Sequence, residues 1–133
     1  MKRLPDAELE LMMIIWDSEQ PVSRADIEKK MKGGRSVLPS TVLTLLSRLE
    51  KRGFVRREKR GKINYYYSLA DKQEYLKEEG KSVLDRMFGN SLTNFVAALY
   101  DGEDMDEEEI KSLQSFIDSQ TEEKKCQRKQ NGM

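Results

Sequence analysis

At 133 residues the chain has room for one small domain with an appendage, or two very small domains, and a core this modest is often stabilised by a second copy. With 37% apolar and 36% charged residues it is charge-rich, yet too apolar for a wholly disordered chain. Zero histidines and a single cysteine, Cys126, remove the commonest general base, the commonest transition-metal ligand and any internal disulfide; no apolar run approaches ~18 residues, so no membrane span is expected.

The opening Met1-Lys2-Arg3-Leu4-Pro5-Asp6 lacks the apolar stretch of a secretion signal. A reducing, cytoplasmic setting is therefore expected, with no enzymatic activity, no cofactor and no metal site. The formal net charge of zero conceals a division. Residues 1–70 carry fifteen Lys/Arg against nine Asp/Glu, net +6, and the remainder balances this at −6. Residues 35–62 are the most basic, with nine cationic and two acidic side chains, net +7. Such asymmetry fits either a polyanion-binding front half or a merely solvated basic face, and the order of elements decides between them.

Pro5 and Asp6 open a first helix, with Glu8 and Glu10 near the positive end of its dipole. Leu9, Met12, Met13 and Trp16 fall at i, i+3, i+4, i+7 and read as its core stripe. Pro21 follows the end of that helix. Ser23 then caps a short helix from about Arg24 to Lys32, with Ile27 and Met31 inward, and Gly33-Gly34 stops it. After a loop containing Arg35, Pro39 introduces a helix over about Ser40 to Arg52. Val42, Leu45, Leu46 and Leu49 form its buried stripe, while Thr41, Thr44, Arg48 and Lys51 share an outward face and Gly53 is the expected C-cap.

Beyond Gly53 the period changes toward 2. Phe54 to Glu58 reads as a strand, Lys59-Arg60-Gly61-Lys62 as a turn, and Ile63 to Leu69 as a returning strand with Ile63, Tyr65, Tyr67 and Leu69 on one face. The three tyrosines invite a base-stacking reading, but the alternation favours Tyr65 and Tyr67 as core or sheet-face residues. Three helices and a hairpin within about 70 residues outline a winged helix-turn-helix. A hairpin tip carrying Lys59, Arg60 and Lys62 is costly unless something anionic receives it.

The remainder is acidic and helical. Leu76, Val83, Leu84, Met87 and Phe88 form an intermittent stripe; Leu92, Phe95, Val96 and Leu99 repeat the i, i+3, i+4, i+7 spacing; Asp106 caps a last helix in which Ile110, Leu113 and Ile117 face inward. These stripes lack a core of their own, and the simplest way to bury them is against a second copy. Dimerisation is thus expected through Leu84, Phe88, Leu92, Phe95, Val96, Leu99, Ile110, Leu113 and Ile117. The predicted fold class is mostly α with a small β-hairpin: a winged helix-turn-helix DNA-binding domain over 1–71, a helical dimerisation region over 72–120, and a polar tail without structure over 121–133. The expected DNA contacts are Thr41, Thr44, Arg48, Lys51, Arg35, Lys59, Arg60 and Lys62, with Arg56 and Arg57 as further phosphate or minor-groove candidates.

The run Thr41-Val42-Leu43-Thr44-Leu45-Leu46-Ser47-Arg48-Leu49-Glu50-Lys51-Arg52-Gly53-Phe54-Val55, continuing through Arg57, Gly61 and Tyr65-Tyr66-Tyr67, resembles the penicillinase-repressor (BlaI/MecI) family. So do Ala7-Glu8-Leu9-Glu10 with Ile14-Ile15-Trp16-Asp17 at the start, and, more loosely, Asn90 to Val96 and Asp106 to Ile117. The resemblance implies a dimeric repressor of palindromic operators with TACA/TGTA-like cores, read by Thr41, Thr44 and Arg48. Leu38 stands where members often carry a polar residue. The resemblance also implies that a membrane sensor protease triggers a cut at an Asn-Phe bond, matched by Asn94-Phe95. With Cys126 as its only cysteine, the chain lacks the cysteine cluster of the copper-responsive branch. Two other readings stay open: a winged-helix protein-interaction module without sequence-specific DNA binding, and a repressor that senses a small molecule directly.

Overall fold

The computed structural model describes residues 3–31, 38–101 and 104–131, with side chains up to 126. The chain divides into two compact units, 1–86 and 87–133. The first unit holds α1 (Asp6–Trp16), a two-residue strand β1 (Val22–Ser23), α2 (Arg24–Met31), α3 (Pro39–Lys51), the hairpin β2 (Val55–Arg60) and β3 (Ile63–Ser68), and most of α4 (Lys72–Phe88). The strands form one antiparallel sheet in the order β1-β3-β2. β1 pairs through Val22 with Tyr66 and Ser23 with Tyr65; the hairpin runs in register from Val55 opposite Ser68 to Arg60 opposite Ile63. Three helices closed by this sheet and its hairpin make a winged helix.

The core is built from Leu11, Met12 and Ile15 of α1, Ile27 and Met31 of α2, Val42, Leu45, Leu46 and Leu49 of α3, and Phe54, Val55 and Tyr66 of the sheet region, with Leu4, Val22 and Tyr75. Tyr75 lies on α4, past the expected boundary at residue 71, yet it is 2% exposed. Its ring meets Trp16 at 5.6 Å and Phe54 edge-on at 5.8 Å, and its hydroxyl accepts from the Leu4 N–H at 2.9 Å. Trp16 donates its indole N–H to Ser68 Oγ at 3.0 Å and to the Ala70 carbonyl at 2.9 Å. A buried aromatic with a polar edge needs such partners, and here they tie the end of α1 to the end of β3.

Two expected faces are corrected. In α1 the fully buried positions are Glu8, Leu11, Met12 and Ile15, whereas Leu9, Met13 and Trp16 are half-buried. The run Leu11 to Trp16 is apolar all round, so its periodicity does not fix which face turns inward. In β3 the core takes Tyr66 from the face opposite to the expected one: Tyr66 is buried, while Ile63 and Leu69 are exposed and Tyr65 and Tyr67 are half-covered. Burial pushes the Tyr66 hydroxyl above the usual tyrosine range.

The local signals at helix ends behave as expected. Ser23 Oγ accepts from the Asp26 N–H at 3.2 Å at the start of α2; Asp71, for which no capping role was expected, does the same for Glu74 at 3.1 Å before α4. At the end of α3, Gly53 takes φ +80, and the Phe54 N–H returns to the Leu49 carbonyl at 3.0 Å.

The second unit holds the last residues of α4, α5 (Leu92–Leu99) and α6 (Glu107–Asn131). Ser91 caps α5 by accepting from the Asn94 N–H at 3.1 Å. Phe88 and Phe95 meet edge to face at 5.2 Å. The tail expected to lack structure from Thr121 is helical through Asn131. Its residues are polar but free of Gly and Pro before Gly132, and Glu, Lys, Gln and Arg are good helix formers, so polarity was the wrong criterion for the end of the helix.

Candidate nucleic-acid interface

α3 turns four apolar residues inward at 5% exposure or less and leaves the rest of its circumference to solvent. Ser40, Thr41, Leu43, Thr44, Ser47, Arg48, Glu50 and Lys51 are all exposed. The expected DNA contacts Thr41, Thr44, Arg48 and Lys51 therefore share one outward half of the helix. Leu43 and Ser47 share it too; neither was among the expected contacts, and a search for polar and basic side chains passes over Leu43. The first two turns present no charge; the cations come later, at Arg48 and Lys51. Thr44 Oγ1 donates to the Ser40 carbonyl at 2.9 Å. Its own proton is thus committed, and toward an outside group the hydroxyl is left as an acceptor.

The wing sorts its charges by face. On one face the cross-strand register aligns Arg56 with Tyr67 and Glu58 with Tyr65. The Arg56 guanidinium lies 4.5 Å over the Tyr67 ring, and that of Arg60 lies 5.2 Å over Tyr65. Arg60 also donates to the Tyr67 hydroxyl at 3.0 Å and to Glu58 Oε1 at 3.4 Å. The Tyr67 hydroxyl, with Arg60 behind it, holds the Glu58 carboxyl below its usual range, and Glu58 in turn holds the Arg60 guanidinium up. Arg57 reaches Glu50 of α3 at 3.9 Å. Gly61 turns the hairpin at φ +63, a backbone region costly for other residues.

Arg52, at the C-cap of α3, is committed elsewhere. Its Nε lies 2.8 Å from Oε2 of Glu8, a carboxylate only 1% exposed. That oxygen has no aligned hydrogen bond, so the contact is an ion pair rather than a directed bond. Among the described residues, Arg48, Lys51, Lys59 and Lys62 take part in no ion pair. The structure thus divides the basic stretch into cations held by the protein (Arg52, Arg56, Arg57, Arg60) and cations left unpaired. Arg60, expected to face DNA, is in the first group. Arg35 lies outside the described residues.

In the second unit, Leu92, Phe95, Val96, Leu99 and Leu113 line one apolar groove of about 480 Å³ together with Met105 and Phe116. Phe116, 60% exposed, was not among the expected dimerisation residues. Leu84 and Phe88 are half-buried on α4, and Ile110 and Ile117 are exposed on α6 outside the groove. None of the described residues beyond Tyr75 is fully buried. Asn94 is exposed, in the first turn of α5, and Phe95 is half-covered by its contact with Phe88. Among the described residues, no helix is long and apolar enough to cross a membrane, and no three metal-ligating side chains cluster.

The family model described as Penicillinase repressor matches residues 4–119. The chain is 28% identical over 128 residues to a penicillinase repressor of Bacillus licheniformis, covering 94% of this chain and 99% of that protein. It is 30% identical over 114 residues to the methicillin resistance regulatory protein MecI of Mammaliicoccus sciuri, covering 86% of this chain and 92% of that one. The solution structure of the DNA-binding domain of the repressor BlaI is 31% identical, with a TM-score of 0.49, and covers 56% of this chain and 94% of that domain.

Proposed function

Because this chain belongs to the penicillinase repressor family, and is in that capacity a DNA-binding transcriptional repressor, we propose that it works as a homodimer on a two-fold symmetric operator. In this reading α3 enters the major groove and the wing grips the flanking backbone. The observation that carries it is the division of labour on the first unit. An uncharged outward face over the first two turns of α3 suits base edges, and the unpaired cations Arg48, Lys51, Lys59 and Lys62 suit phosphates. A protein-interaction module has no use for such a concentration of unpaired positive charge.

Thr44 is the sharpest test of base reading. Its committed proton makes it an acceptor for the amino group of an adenine or cytosine in the major groove. The Thr44→Ala chain should bind its preferred duplex about 1–3 kcal/mol more weakly, with little change on random duplex, as measured by paired titrations. Equal losses on both duplexes would refute a base-reading role.

The homodimer is supported by the apolar groove around Phe95, Leu99 and Phe116, whose lining is too exposed to be an interior. Two copies bring two recognition helices to one duplex, with half-sites about 34 Å or a multiple apart. We further propose that a sensor protease inactivates the repressor by a cut between Asn94 and Phe95. That bond lies in the first turn of an eight-residue helix, where opening is easiest, and the cut divides the apolar stripe of α5. Under induction, the Asn94→Ala chain should remain intact and on its operator, as followed by immunoblot and operator occupancy. Release of that chain by a cut at the same bond would dispose of the proposal.

A further inference from the structure

We infer that Leu43 is a specificity-determining residue that reads the methyl group of a thymine in the operator, an inference that rests on the DNA-reading function proposed above. Leu43 is 39% exposed, although α3 has already supplied Val42, Leu45, Leu46 and Leu49 to the core. It sits one helical turn from Ser40 and Ser47, beside Thr44, on the half of α3 that the core does not use. A single exposed leucine is ordinary on a protein surface. This one is set in a strip without charge, on a helix whose next turn carries unpaired Arg48 and Lys51. Glu50, the one carboxylate on that flank, is answered by Arg57 at 3.9 Å.

Those surroundings select the occupant. The unpaired cations favour a polyanion over an apolar protein partner. The N-terminal residues of a recognition helix meet base edges, and on the major-groove edges of the four base pairs the only apolar group is the C5-methyl of thymine. A leucine can neither donate nor accept a hydrogen bond. A thymine methyl is therefore the one feature it can favour over the other bases.

The test is a uracil scan. In the preferred duplex each thymine is replaced in turn by uracil, which deletes the methyl and leaves every hydrogen-bonding group in place. The full-length chain should lose roughly fourfold in affinity at one thymine of each half-site, the value of one buried methyl-sized group. The Leu43→Ala chain should bind the thymine duplex more weakly and show no uracil penalty at that position. The Leu38→Ala chain, altered at another exposed leucine, should keep it. An unchanged thermal midpoint for Leu43→Ala separates lost reading from lost folding. The inference is overturned if uracil is tolerated at every position, or if Leu43→Ala keeps every penalty. A chain with no preferred duplex overturns the DNA-reading proposal and this inference with it.

Discussion

Replacing Arg52 by alanine is expected to lower the free energy of unfolding by about 3 kcal/mol, a large share of the roughly 5–15 kcal/mol that holds a small domain together. Glu8 is 1% exposed and Arg52 Nε is its ion-pair partner at 2.8 Å. Removing the arginine leaves a carboxylate without compensation in the interior, the situation in which breaking a pair costs most. The value belongs at the low end for buried pairs because the Arg52 side chain is itself 35% exposed, and water can enter the space it leaves. Combining Arg52→Ala with Glu8→Gln should recover part of the loss, since the orphaned charge is gone. Urea unfolding of the three chains measures both effects. A loss below about 1 kcal/mol for Arg52→Ala would mean that the pair is only a surface contact. The pair also joins the first turn of α1 to the C-cap of α3, so it braces the helix proposed to read DNA.

Affinity for the preferred duplex should fall about 10⁴-fold between 50 and 200 mM salt. Four unpaired cations per protomer, Arg48, Lys51, Lys59 and Lys62, give about eight neutralised phosphates in the proposed dimer, and a slope of log affinity against log salt near −7. Replacing Lys62 by alanine should flatten that slope by about 2, one phosphate contact per protomer, and weaken all sequences alike. Counting every basic residue of the wing would predict a much steeper dependence. Arg56 and Arg60 lie over tyrosine rings, and Arg57 and Arg60 face carboxylates, so they release fewer counterions on binding. Titration at several salt concentrations reads the slope directly. A slope of about −4 or shallower, the value left by Arg48 and Lys51 alone, would remove the wing from the interface.

The succession of helices and hairpin was legible because each boundary carries a local chemical signal. Ser23 caps as its side chain dictates, and Gly53 and Gly61 take the positive φ that their positions require. The buried face of α3 was legible because its polar and apolar residues alternate cleanly at helical spacing. What escaped depends on partners distant in sequence. β1 is two residues long, too short for any period, and exists only because Tyr65 and Tyr66 lie beside it. The inward turn of Tyr66 is set by the register of β3 between two neighbours, which alternation alone leaves undecided. Glu8 looked like a residue at the positive end of a helix; only Arg52, forty-four positions on, explains why it is buried. Tyr75 was hidden because its partners, Leu4, Trp16 and Phe54, come from other segments.

The same holds for the site. Thr41, Thr44, Arg48 and Lys51 were legible as an outward face of one helix. Sequence alone treats the cations of the wing as equivalent, and only contacts along and across the hairpin separate Arg60, held by Glu58 of its own strand and Tyr67 of the next, from Lys59 and Lys62. Leu43 carries no signal that a search for polar readers detects.

Selection from a pool of random duplexes by the full-length chain at physiological salt tests the central claim most directly, because one experiment reads sequence preference and symmetry together. The expected result is enrichment of a two-fold symmetric motif whose half-sites lie about one helical turn, or a multiple of it, apart. Salt-sensitive retention of DNA with no enriched motif would contradict it, and would leave the basic face of the first unit as a non-specific polyanion surface.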